Sequence, residues 1–133
     1  MTGKVYLVGA GPGDPKLITL RAVELIKKAD VVLYDRLVSK KILSMIPKRT
    51  VSIYVGRAVG DDTTHQDSTN ELMVKYAKLK KYVVRLKGGD PIIFGRGGEE
   101  AEFLKSFNVK YEIIPGITSG IGSATYAGIP LTH

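Results

Sequence analysis

The amino-acid sequence predicts an α/β domain built on a mainly parallel five-stranded sheet flanked by helices. Three observations carry that prediction. Short apolar runs alternate with segments whose apolar residues recur every third or fourth position, as strands alternating with helices do. The runs are nearly all apolar instead of alternating with polar residues, as expected when helices cover both faces of the sheet. Glycine-rich stretches follow the runs, and open α/β sheets bind ligands beyond the carboxyl ends of their strands. A length of 133 residues suits one domain, taken as 1–133.

The elements follow in order. Val5 to Val8 reads as a first strand ending at a glycine cluster. Ile18, Ala22, Leu25, Ile26 and Ala29 lie at helical spacing and form one apolar face. Val31 to Tyr34 is a second strand, Ile42 to Ile46 a short helix, and Val51 to Val55 a third strand. The long polar stretch Gly56 to Asn70 reads as a functional loop. Leu72, Met73, Tyr76 and Ala77 mark the next helix, before a fourth strand over Tyr82 to Leu86. Ala101, Phe103, Leu104 and Phe107 give another helical face, and Val109 to Ile114 the fifth strand. The chain stops at Gly128-Ile129-Pro130-Leu131-Thr132-His133 without a polar tail, which reads as an interruption with a second domain missing.

Composition narrows the function classes. An apolar fraction of 44% fits a globular chain and argues against disorder. The sequence has no Cys, so it offers no disulfide, no thiolate zinc ligand and no thiol nucleophile; a reducing cytoplasm is the simplest compartment. The longest apolar runs are about four residues, too short for a membrane helix, and the N-terminus lacks a signal-peptide layout. With 20 Lys+Arg against 13 Asp+Glu, the net charge is +7, which favours acidic partners without choosing among nucleic acid, an anionic surface and a polyanionic small molecule. The pairs Lys27-Lys28, Lys40-Lys41 and Lys80-Lys81 read as cations complementing helix C-termini.

The glycine clusters are the chemically informative part. Gly9-Ala10-Gly11-Pro12-Gly13-Asp14-Pro15 is close to a dinucleotide fingerprint but fails it, because the third glycine of G-x-G-x-x-G is replaced by Asp14. Pro12 and Pro15 also lack the N–H groups that a pyrophosphate would need. A tight turn that lets a ligand approach the backbone remains. Lys87-Gly88-Gly89-Asp90-Pro91 puts open backbone beside a carboxylate, suited to an amino acid's ammonium and carboxylate. Gly95-Arg96-Gly97-Gly98-Glu99-Glu100 reads partly as a helix start whose glutamates suit the dipole. Pro115-Gly116-Ile117-Thr118-Ser119-Gly120 offers two hydroxyls. Four such loops on one sheet edge predict one extended cleft. Asp35 ends the second strand and points at that edge, although an ordinary turn or capping role is equally open. Arg57 follows the third strand, where a solvated loop cation is the plainer alternative. His65 and His133 have no partner at metal-ligand spacing, and no nucleophile elbow supports a triad of Ser119, His65 and Asp90.

These same residues resemble a known family. Leu7 to Asp14, Ala29 to Ser39, Val84 to Pro91, Ile93 to Glu100, Pro115 to Ser119 and Gly128 to His133 are similar, in order and across the whole chain, to the N-terminal domain of S-adenosylmethionine-dependent uroporphyrinogen-III C-methyltransferases, in the tetrapyrrole methylase superfamily. The resemblance implies methyl transfer to carbons C2 and C7 of uroporphyrinogen III, through precorrin-1 to precorrin-2, on the branch toward sirohaem and cobalamin, with S-adenosylhomocysteine as by-product. It implies that Pro12, Gly88, Gly89, Asp90, Ile93, Thr118 and Ser119 contact S-adenosylmethionine and that Asp35 accepts a proton. Arg57 falls where the family commonly has a lysine proposed as proton donor; a guanidinium holds its proton too tightly for that and suits a carboxylate clamp. The family has a second α/β domain, absent from this chain, and forms cytoplasmic homodimers. A later precorrin methyltransferase or a diphthine-synthase-type enzyme shares the fold, but Tyr34-Asp35-Arg36-Leu37-Val38-Ser39 favours the first methylation. A basic nucleic-acid-binding module is the alternative from charge alone, without the interleaved aromatics such a surface uses.

Overall fold

The computed structural model describes residues 3–56 and 64–133, with the backbone alone for 64–67. Strands β1 (Lys4–Gly9), β2 (Val31–Tyr34), β3 (Val51–Tyr54), β4 (Tyr82–Lys87) and β5 (Lys110–Ile114) alternate with helices α1 (Leu20–Lys28), α2 (Lys40–Leu43), α3 (Thr64–Lys78), α4 (Gly97–Ser106) and α5 (Ser119–Ala127). The strands form one sheet in the order β3-β2-β4-β1-β5, and every pairing of named strands is parallel. The predicted fold class holds.

The strand order and the right-handed rule for parallel crossovers together fix the face each connecting helix takes. The chain first steps outward from β1 to β2 and β3, then reverses to insert β4 between β2 and β1, and ends at β5 on the far side of β1. Reversal of direction moves the connecting helices to the other face. Accordingly, α1 and α2 bury Ala22, Leu25, Ile26 and Ile42 against Val8, Val32, Val84 and Leu86. On the opposite face, α3 and α4 bury Met73, Val74, Ala77, Ala101 and Leu104 against Val5, Leu7, Val31, Leu33 and Val83. Each buried Val, Leu, Ile or Met side chain among these contributes about 1.5–3 kcal/mol by leaving water. Because β2 and β4 are neighbours whose following helices lie on opposite faces, a crevice opens between their carboxyl ends.

Local chemistry sets the helix ends. Thr19 caps α1 by accepting from the Ala22 N–H at 3.1 Å, and Ser39 caps α2 through the Ile42 N–H at 3.4 Å. Lys27 and Lys28 do close α1, as predicted. Lys40 and Lys41 instead open α2, because Ser39 starts the helix ahead of its apolar residues; Met45 and Ile46 then continue the chain in tight turns. The polar stretch predicted as a loop to Asn70 is helical from Thr64. Asp67, Ser68, Thr69 and Asn70 are poor helix formers, so propensity hid about the first two turns, which packing stabilises, with Thr69 and Asn70 buried.

Candidate functional site

With all strands parallel, the loops after β1, β2, β4 and β5 emerge at one edge. The glycines there mostly bring backbone onto backbone. Gly11 donates to the Gly89 carbonyl at 3.1 Å and Gly89 donates back to Gly11 at 2.8 Å. A β-carbon on Gly9 would lie 2.6 Å from the Gly89 carbonyl oxygen and 2.8 Å from the Gly116 nitrogen. The turn expected to admit a ligand to the backbone is therefore closed, in part, by the neighbouring loops. Gly89 has φ +66, a left-handed conformation that glycine adopts at little cost.

Asp90 is spent on the same lock. One carboxylate oxygen accepts from the Ile92 N–H at 2.8 Å and the other from the Gly116 N–H at 3.1 Å. The β4 and β5 loops are thus tied together. Thr118 stands at the N-cap of α5 without a capping bond from its side chain, and Ser119 is exposed beside it. A β-carbon on Gly89 would touch Thr118 Cα at 3.6 Å, and one on Gly122 would meet Pro12 Cγ at 3.3 Å. Pro12, Gly88, Gly89, Asp90, Thr118 and Ser119 therefore share one corner of the edge. Ile93 lies in the following loop, half exposed.

Asp35 sits at the adjacent crevice. It lines a cavity of about 230 Å³ with Leu37, Arg85, Lys87, Gly88 and Arg96. The turn role open to Asp35 in the sequence is taken. One oxygen makes the turn, accepting from the Leu37 N–H at 3.0 Å, and the other faces Arg85 Nη2 at 3.9 Å. Arg57 and the loop around it lie outside the described residues.

Arg85, Lys87 and Glu100 form a buried charge cluster that sequence reasoning missed. Arg85 Nε donates to Glu100 Oε2 at 3.0 Å, Lys87 Nζ to Glu100 Oε1, and Arg85 Nη1 to the Leu86 carbonyl at 3.3 Å. Burial and the neighbouring guanidinium push the Lys87 amine below its ordinary range, against the pull of Glu100 and Asp35. The signal was present: Arg85 and Lys87 are charges two residues apart in a central parallel strand, hence on one face of it. Glu100, read as suiting the helix dipole, does lie in the first turn of α4, but it is fully buried.

Above the cavity, Phe94 (φ 51) and Arg96 (φ 57) are left-handed non-glycine residues. Each costs about 1–2 kcal/mol, and such strain collects at functional sites. Gly95 between them would drive a β-carbon onto the Pro91 and Asp90 carbonyls. Among the described residues there is no group of metal-binding side chains, and no helix is long and apolar enough to cross a membrane.

Comparison with known proteins places this geometry. Residues 4–133 match the family model for Tetrapyrrole (Corrin/Porphyrin) Methylases. The chain is 59% identical over 131 residues to a uroporphyrinogen-III C-methyltransferase of Bacillus subtilis, covering 98% of this chain and 51% of that protein. It is 58% identical to a siroheme synthase of Nitrosomonas europaea, covering 99% of this chain and 28% of the relative. A crystal structure of uroporphyrin-III C-methyltransferase from Thermus thermophilus superposes with a TM-score of 0.87 at 41% identity, covering 100% of this chain and 56% of that one. Another, complexed with S-adenosyl homocysteine, gives 0.83 at 49% identity, over 98% of this chain and 54% of that one. The chain thus spans about half the length of such relatives, or less. Its sequence match from residue 4 to residue 133, with the sheet order and edge that carry it, makes this chain a member of the tetrapyrrole methylase family.

Proposed function

We propose that this chain carries the N-terminal half of an S-adenosylmethionine-dependent methyltransferase site acting on uroporphyrinogen III at C2 and C7, giving precorrin-2 by way of precorrin-1. The observation that carries the reading is Asp35 at the mouth of a cationic crevice, beside a corner of glycine backbone and unused hydroxyls. The residues present fit the cofactor. Pro12, Gly88, Gly89, Asp90, Ile93, Thr118 and Ser119 offer backbone groups and hydroxyls suited to an amino acid and a nucleoside, and no dense cationic cradle as a pyrophosphate would need. When bound, S-adenosylmethionine supplies a sulfonium-activated methyl group.

The chain's own contribution is alignment and charge. Asp35 accepts from a pyrrole N–H and stabilises the positive charge that develops on the ring as its carbon turns nucleophilic. Arg96 at the cavity complements an octacarboxylate substrate. Arg57 acts as a further carboxylate clamp. A second domain completes the cofactor site. In support, Ile121 of α5 and Ile129 and Leu131 after it, all exposed, line one cavity. The whole enzyme works as a cytoplasmic homodimer.

In this chain extended by a second domain, Asp35→Asn lowers methylation by about a hundredfold or more, the size expected when a group aimed at developing charge is lost. Its affinity for S-adenosylhomocysteine stays near wild type. Unchanged methylation removes Asp35 from the mechanism. Arg57→Lys keeps most activity if charge is what counts, and a severe loss in steady-state rate points to bidentate geometry instead.

A further inference from the structure

Charges buried beneath the crevice need a reason. Arg85, Lys87 and Glu100 are exposed by 5%, 4% and 0%. Taking such groups out of water costs more than their mutual attraction commonly returns, and apolar side chains of like volume would pack the same space without that cost. Stability alone therefore does not account for the cluster. Its open side does. Arg85 points Nη2 at Asp35 from 3.9 Å, and Lys87 lines the same cavity. Two cations and one carboxylate leave a surplus positive charge, and Asp35 is the counter-charge at the mouth.

We infer that Glu100 is a positioning residue of this site: its two oxygens hold Arg85 and Lys87 as a fixed pair of cations against Asp35, so that the four side chains act as one electrostatic unit. The backbone supports this arrangement. The pairing of Leu33 with Arg85 and of Tyr34 with Leu86 brings Asp35, the residue after β2, level with Lys87. Glu100 reaches the pair from the first turn of α4, where the helix dipole favours a carboxylate. Lys87 faces Arg85 on its own strand, Glu100 from α4, Asp35 from the end of β2 and Arg96 from the loop above, while β1 opposes it with Gly9. What the unit is for rests on the reading of Asp35 as proton acceptor; its existence does not.

Lys87 reports on the unit, because both carboxylates favour its charged form. The test is NMR of the 133-residue chain, following the Lys87 side chain through its titration and seeking through-hydrogen-bond couplings from the Glu100 carboxyl carbon to Lys87 Nζ and Arg85 Nε. In the native chain both couplings are expected, and the absence of either overturns the proposal. Asp35→Asn should move the Lys87 midpoint down, as loss of a nearby opposite charge does, and Glu100→Gln should move it further. A midpoint unmoved in Asp35→Asn contradicts the proposal, since Asp35 would then stand outside the charge unit that Glu100 holds together. Should Glu100→Gln fail to fold, the native couplings and Asp35→Asn still decide the matter. None of these readouts needs substrate, so loss of the methyl-transfer reading and loss of the charge unit would be told apart.

Discussion

At Gly9 and Gly116 one hydrogen per residue sets how closely three loops can meet. A β-carbon on Gly116 would collide with the Gly89 carbonyl and lie 3.0 Å from Gly9 Cα, and neither obstacle is a side chain that can turn away. Gly116→Ala should destabilise the fold by about 1–3 kcal/mol, the usual cost of forcing extra volume into packed structure. Gly98 lies in α4 with nothing within 4 Å of its added carbon, so Gly98→Ala should stabilise by about 0.4–1 kcal/mol through the unfolded chain. Urea unfolding of the two variants checks both signs. The glycine clusters were legible in sequence as features of the binding edge. Their division of labour was not, because whether a glycine admits a ligand or a neighbouring loop depends on strands distant in the chain. Asp90 makes the same point: its carboxylate looks free in Gly88-Gly89-Asp90-Pro91 yet holds the Ile92 and Gly116 amides.

Among the elements, β1 and β2, on either side of the central β4, could be read from the sequence most clearly, because burial on both faces demands nearly continuous apolar runs. Helix starts were harder. The first turns of α3 are polar and poor in propensity, so Thr64 to Asn70 resembled a loop, whereas α1 announced itself through periodic Ala22, Leu25 and Ile26. The Thr19 hydroxyl holds the first turn of α1, and Thr19→Ala should cost about 1 kcal/mol in thermal or denaturant unfolding. The charge cluster escaped notice because its partners are separated in sequence: Arg85 and Lys87 are neighbours on β4, but Glu100 reaches them only once α4 has crossed to its face of the sheet. A charged pair at alternate positions of a central strand is a usable sign that a buried partner must exist.

For the molecule as a whole, that cluster leaves a pH signature. Lys87 is depressed in the folded chain, chiefly by burial, below its ordinary value of 10.5. Between the depressed value and the ordinary one, the unfolded chain binds more protons, so the Lys87 contribution to stability rises with pH and levels off above about 10.5. Below that window the full cost of burying the ammonium remains. Lys87→Met should lose this rise, seen as the difference between urea midpoints of the two chains from neutral to alkaline pH. The net charge of +7 complements the polycarboxylate substrate of the proposed reading, while the length gains a different meaning. Helices cover both faces of the sheet, yet the chain matches only 51% of the Bacillus subtilis relative, and in the proposed reading a second domain shares and completes the cofactor site. Calorimetry with S-adenosylhomocysteine tests that sharing most directly, on this chain and on the chain extended by a second domain. Binding by the extended chain, with weak or no binding by residues 1–133 alone, is the predicted result; failure of the extended chain to bind, or equally tight binding by both, would contradict it.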